Sequence, residues 1–90
     1  EGLAFGPDGR LYIADTHNHR IRRLEADGTL VTVAGDGEAD LSGDGGPAVR
    51  AALDAPTGVA VAPDGTIWIA DTGNDRVRRV DPRGTITSVG

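Results

Sequence analysis

The sequence repeats itself once, with a shift of 56 residues between the two copies. When residues 1–34 are set against residues 57–90, 16 of the 34 positions carry the same residue, which is too many to arise by chance. Most of the remaining positions are conservative exchanges, such as leucine against valine. A repeat of this length predicts one supersecondary unit per copy, which buries its apolar surface against the next unit. We therefore divide the chain into a first unit over 1–35, a connecting segment over 36–56 and a second unit over 57–90.

Each unit is predicted to form four short strands. A Pro-Asp-Gly sequence separates the first strand from the second in both units, and its glycine suits the positive φ of a hairpin turn. The second strand is apolar on both faces, which is typical of a strand in a sheet that is covered on both sides. Gly2 and Gly58 in the first strands suit a crowded position. The strands are expected over residues 2–6, 10–15, 20–25 and 29–34, and over 58–62, 66–71, 76–81 and 85–89.

The repeated pattern resembles the NHL repeat. Residues 58–77 read Gly-Val-Ala-Val-x-Pro-Asp-Gly-x-Ile-Trp-Ile-Ala-Asp-Thr-Gly-Asn-x-Arg-Val, and the resemblance covers nearly the whole chain. Residues 41–48, followed by Leu53 and Pro56, resemble the inter-blade loop of an NHL subgroup found in bacterial secreted proteins and in teneurin-like or Rhs-like surface proteins. The resemblance implies an all-β fold: a β-propeller in which each unit is one four-stranded antiparallel blade. It also implies a secreted or extracytoplasmic parent protein, whereas the residues themselves leave the localisation undetermined.

Two blades do not close a ring, so an isolated pair would leave two large apolar faces in water. The chain starts on the first strand of one unit and stops on the last strand of the other, a register that suits head-to-tail assembly. We therefore expect copies of the chain to complete a six- or eight-bladed ring by oligomerisation, with a trimer as the first choice. The competing hypothesis is a fragment of a longer propeller, and the abrupt start inside a repeat also fits an engineered segment.

Composition excludes several classes of partner. The net charge is −5 with no lysine, which argues against binding a nucleic-acid backbone. The longest apolar runs are about four residues, far short of the roughly 20 that a membrane span needs. The absence of cysteine excludes disulfides, thiolate catalysis and zinc ribbons. We expect neither a nucleic acid nor a membrane as partner.

A ligand, if the chain binds one, is expected on the side of the propeller that carries the turn after each second strand together with the connecting segment, because long loops on a rigid scaffold usually carry function. We call this side the loop face. A protein or peptide ligand would contact His17, Asn18, His19, Asp44, Asn74 and Asp75. The competing interpretation is that the connecting segment braces the two blades. In that interpretation a short helix begins at Gly46-Pro47, and Leu41 and Leu53 anchor the segment.

Two patterns in the loops imitate metal sites. Asp40, Ser42 and Asp44, followed by glycine, match the first half of a calcium loop, but alanine stands where the bidentate glutamate is required. His17 and His19 could ligate a transition metal, but the second unit has glycine and aspartate at the matching positions. For the first pattern, Asp and Ser side chains that bond their own backbone in a glycine-rich turn are the better interpretation. For the histidines, a solvated turn is the better interpretation.

The repeated arginines could form an anion-binding patch. They alternate along the third strand of each unit, beside acidic residues, so pairing across strands and with the aspartate of the neighbouring turn is the stronger interpretation. No catalytic constellation is recognised among the acidic residues, which lie in turn positions. We therefore predict no catalytic residue, no metal and no cofactor.

These observations favour a non-catalytic propeller building block that assembles with copies of itself. The alternative is a ligand-binding or protein-binding module of a larger NHL propeller. A remote third hypothesis is a metal-dependent, lyase-like enzyme, because a few NHL proteins, such as the peptidyl-amidating lyases, have that activity.

Overall fold

The computed structural model describes residues 2–37 and 44–89, which form two antiparallel sheets of four strands. The strands of blade 1 are β1 (Leu3–Phe5), β2 (Leu11–Asp15), β3 (Arg20–Leu24) and β4 (Leu30–Ala34), and those of blade 2 are β5 (Gly58–Val61), β6 (Ile67–Asp71), β7 (Arg76–Val80) and β8 (Ile86–Ser88). In each sheet the strands lie side by side in chain order. The predicted all-β fold of two four-stranded antiparallel blades is confirmed, and every strand begins and ends within one residue of its expected position.

The hairpin turns take their shape from a glycine and an aspartate. The glycine has a φ of 81–94° in all four turns, a conformation that other residues rarely adopt. The aspartate of the turn accepts a hydrogen bond from the backbone N–H two residues further along, as Asp8 does from Arg10 at 3.0 Å and Asp64 does from Thr66 at 2.9 Å. These short turns hold the strands in register.

One hydrophobic core fills the space between the two blades. Its buried residues are Tyr12, Ala14, Ile21 and Ala34 of blade 1, Ile67, Ile69, Val80 and Ile86 of blade 2, and Ala48, Ala51 and Leu53 of the connecting segment. Successive side chains of a strand point to opposite faces of its sheet. Blade 1 therefore buries the face that carries Tyr12, whereas blade 2 buries the face that carries Ile69, the repeat equivalent of Ile13. The two sheets stack in the manner of consecutive blades.

The first strands of the two blades approach each other closely at Gly2 and Gly58, the two glycines that were predicted to occupy a crowded position. A Cβ atom on Gly2 would lie 2.7 Å from the Cα atom of Gly58. Nearby, the Thr16 hydroxyl donates a hydrogen bond of 2.7 Å to the carbonyl of Pro56. The blades are thus joined at their inner edge by backbone packing that a larger side chain would prevent.

The connecting segment departs from its expected path. Its residues 44–48 run along the outer strand β8, with hydrogen bonds from the Gly45 N–H to the Ile86 carbonyl (2.7 Å) and from the Ala48 N–H to the Gly84 carbonyl (2.8 Å). They therefore reach the β7–β8 turn on the side opposite the loop face, because an edge strand offers unpaired backbone groups. The expected short helix is a single 3-10 turn at Ala48–Arg50. Leu53 is buried, and the second expected anchor, Leu41, lies outside the described residues.

Candidate functional site

Most residues expected to form a binding site use their polar atoms inside the chain. Asn18 donates to both carboxylate oxygens of Asp15, at 3.1 and 3.0 Å, and Asn74 donates to Asp71 at 2.9 Å. Each bond closes a 3-10 turn between the second and third strands of its blade. The asparagines therefore shape these turns by bonding the aspartate at the start of each turn.

The two histidines have different surroundings. His19 takes a left-handed conformation at the end of its turn, with a φ of 55°, and its Nδ1 atom accepts a hydrogen bond of 2.9 Å from the Ala55 N–H. His17 is exposed, as is Asp75, which has the same left-handed conformation as His19, with a φ of 53°. His19 thus serves to attach the end of the connecting segment to blade 1.

Asp44 lies over the outer half of blade 2, where it contacts a buried arginine. Its Oδ1 atom accepts a hydrogen bond of 2.9 Å from Nη2 of Arg78. Burial would raise the pKa of Asp44, but hydrogen bonds from Ser88 and Arg78 outweigh it, and the pKa falls below its usual value. This carboxylate is already engaged by an arginine, whereas the calcium-loop pattern requires it as a ligand. The other two residues of that pattern, Asp40 and Ser42, lie outside the described residues.

Arg78 is the centre of a buried polar network beneath the connecting segment. Its side chain is fully buried, and Nη1 donates to the carbonyl of Ala52 at 2.6 Å and lies 3.4 Å from the buried carboxylate of Asp71. The Asp54 N–H donates to the same carboxylate at 2.7 Å. The expected pairing of arginine with the aspartate of the turn is present here, and it holds the connecting segment on blade 2.

Metal-binding clusters and membrane-spanning helices were sought in the described part of the chain. Among residues 2–37 and 44–89, no three His, Cys, Asp or Glu side chains are grouped so that they could hold a metal ion. In the same residues, no helix is long and apolar enough to cross a membrane.

The most distinctive surfaces are the two outward sheet faces. On blade 1 the exposed apolar residues are Leu3, Phe5, Leu24 and Leu30, which we call the Leu24 face. On blade 2 they are Trp68, Val77 and Val89, which we call the Trp68 face. The sequence predicted two such faces without identifying their residues. The repeat itself could have identified them, because every one of these positions has an equivalent in the other blade.

Each exposed residue is matched by an equivalent that packs in or against the core between the blades. Leu30 is 47% exposed, whereas its equivalent Ile86 is fully buried. Trp68 is 39% exposed, whereas its equivalent Tyr12 is 7% exposed. The Leu24 face therefore corresponds to the face that blade 2 buries, and the Trp68 face corresponds to the face that blade 1 buries. The two outward faces therefore carry the equivalents of the same two sets of residues that pack against each other between the blades.

The Leu24 face also contains a recess of about 610 Å³. Its lining includes the apolar residues Phe5, Leu11 and Leu24 and the charged residues Asp8, Arg10 and Glu25. Glu25 is paired within blade 1, 2.6 Å from Nε of Arg23 and 3.3 Å from Nη1 of Arg10. A recess that combines apolar and charged residues is suited to receive a large side chain from another blade.

Residues 1–89 match the family described as the SMP-30/gluconolactonase/LRE-like region. Protein SUPPRESSOR OF QUENCHING 1, chloroplastic, of Arabidopsis thaliana is 35% identical over 81 residues, which are 89% of this chain and 8% of that protein. Human teneurin-1 is 38% identical over 91 residues, which are 87% of this chain and 3% of teneurin-1. The chain thus spans a small fraction of the length of the curated relatives it matches.

Solved propeller structures match the whole of the fold. A gluconolactonase from Xanthomonas campestris aligns with all of this chain and with 33% of its own, with a TM-score of 0.77 and 22% identity. A virginiamycin B lyase from Staphylococcus aureus aligns with 97% of this chain and 25% of its own, with a TM-score of 0.64 and 20% identity. At these identities the likeness concerns the fold alone.

Proposed function

The chain belongs to the SMP-30/gluconolactonase/LRE-like family, and from this premise we propose that it is a non-catalytic pair of NHL-type propeller blades. Its function is to complete a ring by binding copies of itself, the Trp68 face of one copy against the Leu24 face of the next. The teneurin relatives support the NHL assignment, since the identity to human teneurin-1 is 38% over 87% of this chain. A secreted or extracytoplasmic parent is part of the same proposal.

One observation carries this proposal: the residues exposed on each outward face are the repeat equivalents of residues packed at the interface between the blades. Val77 on the Trp68 face corresponds to the fully buried Ile21. Leu24 on the other face corresponds to Val80, which is 2% exposed. Apolar surface removed from water contributes roughly 25 cal/mol per Å², so faces of this kind favour association. A heterologous interface of this type closes into a ring when the rotation per copy fits.

The share of the solved structures that the chain covers supports the number of copies. The chain covers 33% of the gluconolactonase, so three copies would fill a ring of that length. It covers 25% of the lyase, so four copies would fill that ring. Of these two ring sizes we propose the trimer, the first choice from the sequence.

The mass in solution tests the proposal. A trimer of the 9.2 kDa chain has a mass of about 28 kDa and a tetramer about 37 kDa. We expect sedimentation equilibrium to give the trimer mass over a range of protein concentrations, without larger species. A folded 9.2 kDa monomer at all concentrations would contradict self-assembly, and an open series of growing masses would contradict ring closure.

Family membership favours a second candidate, a contribution to catalysis in a complete ring, because the family description includes gluconolactonase. The test is lactone hydrolysis by the assembled protein, measured with and without added divalent metal. Metal-dependent activity that His17→Ala removes would support an enzyme, whereas no hydrolysis above the buffer rate would support the non-catalytic proposal. A ligand site on the loop face has less support, because Asn18, His19 and Asn74 already bond within the chain.

A further inference from the structure

We propose that Trp68 of one copy inserts into the recess of the Leu24 face of a second copy and is the anchor of the interface between copies. This inference rests on the proposed function, which it makes specific to one side chain and one recess. It concerns an interaction surface whose partner is a second copy of this chain.

The interface inside the chain provides the template. Between the blades, Tyr12 lines a cleft of about 430 Å³ together with Ile67 and Val80 of blade 2. The repeat equivalents of Ile67 and Val80 are Leu11 and Leu24, which line the open recess on blade 1. The repeat equivalent of Tyr12 is Trp68. The same stacking between two copies therefore places Trp68 over the recess.

The two repeats differ at the residue beside this aromatic ring. Tyr12 packs on Gly6 of its own blade so closely that a Cβ atom on Gly6 would lie 2.7 Å from the Cε1 atom of the ring. The equivalent residue in blade 2 is Ala62, whose Cβ atom occupies that space. The indole ring of Trp68 therefore has a methyl group beside it where Tyr12 has none, and it is 39% exposed because no blade covers its face.

The charges beside Trp68 match those beside the recess. Arg79 is the cross-strand neighbour of Trp68 and lies on the same face. In the interface inside the chain, the corresponding Arg23 lines the cleft together with Asp64 and Asp81 of blade 2. The equivalents of these two aspartates are Asp8 and Glu25, which are acidic as well and line the open recess, where both also pair with Arg10.

The inner strands allow the second interface the same close approach as the first. Within the chain, Gly2 of blade 1 packs against Gly58 of blade 2, and no larger residue would fit at Gly2. Between copies, Gly58 takes the role of Gly2 and meets Gly2 of the next copy. Glycine at both positions therefore removes the steric barrier that a different residue at position 58 would create.

The experiment uses two variants, each of which blocks one face. Trp68→Glu places a charge on the Trp68 face, and Leu24→Glu places one on the Leu24 face; both positions are exposed, so the blades keep their core. We expect each variant alone to remain at 9.2 kDa, because every contact between its copies contains the altered face. Mixing them joins the one intact Trp68 face to the one intact Leu24 face, which gives a dimer of about 18 kDa, twice 9.2 kDa, and no larger species.

Fluorescence adds a readout at the proposed anchor itself. The chain has a single tryptophan, so in the mixture only the Leu24→Glu partner carries one, and it is Trp68. Dimer formation should shift its emission to shorter wavelength and reduce its quenching by acrylamide. The conservative variant Trp68→Phe should assemble to the wild-type mass with a weaker dissociation constant.

Three results would overturn the inference: assembly of Trp68→Glu alone to the wild-type mass, dimerisation of Leu24→Glu alone through two Trp68 faces, or unchanged emission in the mixture. The first two leave self-assembly intact and reject only this interface. A wild-type protein that is monomeric at every concentration rejects the proposed function itself.

Discussion

Two arginines with the same neighbours in sequence occupy different environments. Arg78 is fully buried and bonds the connecting segment, whereas its equivalent Arg22 is 23% exposed and lies 3.4 Å from Asp15, which is 30% exposed. The Arg22 pair resembles a surface ion pair, whose contribution is small. The Arg78 pair leaves a buried, uncompensated Asp71 carboxylate if the arginine is lost. Position in the assembly, and not residue identity, decides what each arginine contributes.

This difference gives a prediction at the level of single residues. Arg78→Met should lower the free energy of unfolding by about 3–5 kcal/mol, the usual cost of breaking a buried ion pair. Arg22→Met, the matched control, should lower it by about 1 kcal/mol or less. Urea unfolding followed by circular dichroism, at one protein concentration for all variants, measures both. Equal losses for the two variants would show that the Arg78 network does not hold the connecting segment.

Some of these residue roles could be predicted from the sequence, and others could not. The pairing of arginine with the turn aspartate followed from their repeated positions in adjacent strands. The burial of Arg78, and the use of Asp44 as its partner, did not follow, because both depend on a segment that has no counterpart in the repeat. His19 and Asn74 were expected to face a ligand, but a turn residue's short polar side chain can equally bond its neighbours.

Among the elements, the connecting segment is fixed to blade 2 at a point where only glycine fits. Gly73 follows the start of the turn between β6 and β7, and its N–H donates to the Asp54 carbonyl at 2.8 Å. A Cβ atom on Gly73 would lie 2.5 Å from the Asp54 Cγ atom and 2.6 Å from the Asp54 carbonyl oxygen. The equivalent position in blade 1 is His17, which carries a full side chain.

Gly73→Ala is therefore expected to displace the connecting segment and lower the free energy of unfolding by about 1–3 kcal/mol, as overpacking does. His17→Ala creates the same residue at the same place in the turn of blade 1, and should change stability by no more than about 0.5 kcal/mol. Thermal unfolding of the two variants compares them directly. A Gly73→Ala protein as stable as the wild type would mean that the segment adapts without loss.

The strands could be predicted closely and the connecting segment could not, for a physical reason. Each strand and turn occurs in both repeats, so the assignment made in one repeat can be compared with that in the other. The Asp-Gly turns also mark the ends of the strands. The connecting segment occurs once, and its path follows the edge of β8 and the space left between the blades. Nothing local to residues 44–48 distinguishes a loop above the blades from one that pairs with an edge strand.

At the scale of the whole molecule, the outward faces are the surfaces that the proposed assembly would join. The two blades bury one interface between them. The repeat equivalents of the residues at that interface are exposed on the Leu24 face and the Trp68 face. The internal interface has a feature that copies cannot reproduce by stacking alone: the connecting segment that covers Arg78 and fills the core with Leu53. In the proposed interface between copies, no connecting segment covers the pair of Arg22 and Asp15. We expect the interface between copies to be the weaker of the two.

Joining the copies covalently should remove that weakness. In a chain of three copies in which each junction is spanned by an added copy of residues 35–56, every junction repeats the order of elements found within one copy. The added segments can then cover the Arg22 pairs as residues 44–54 cover Arg78, and the last interface closes within one molecule, at an effective concentration of about the millimolar range. We expect a monomeric ring whose melting temperature does not depend on protein concentration.

His17→Gly in the second and third copies should stabilise this fused ring further, since Asp54 of each added segment meets position 17 there. Sedimentation and acrylamide quenching of the three tryptophans check the result. A fused chain that still associates, or that leaves all three tryptophans open to quenching, would show that the outward faces do not pair as the inner ones do.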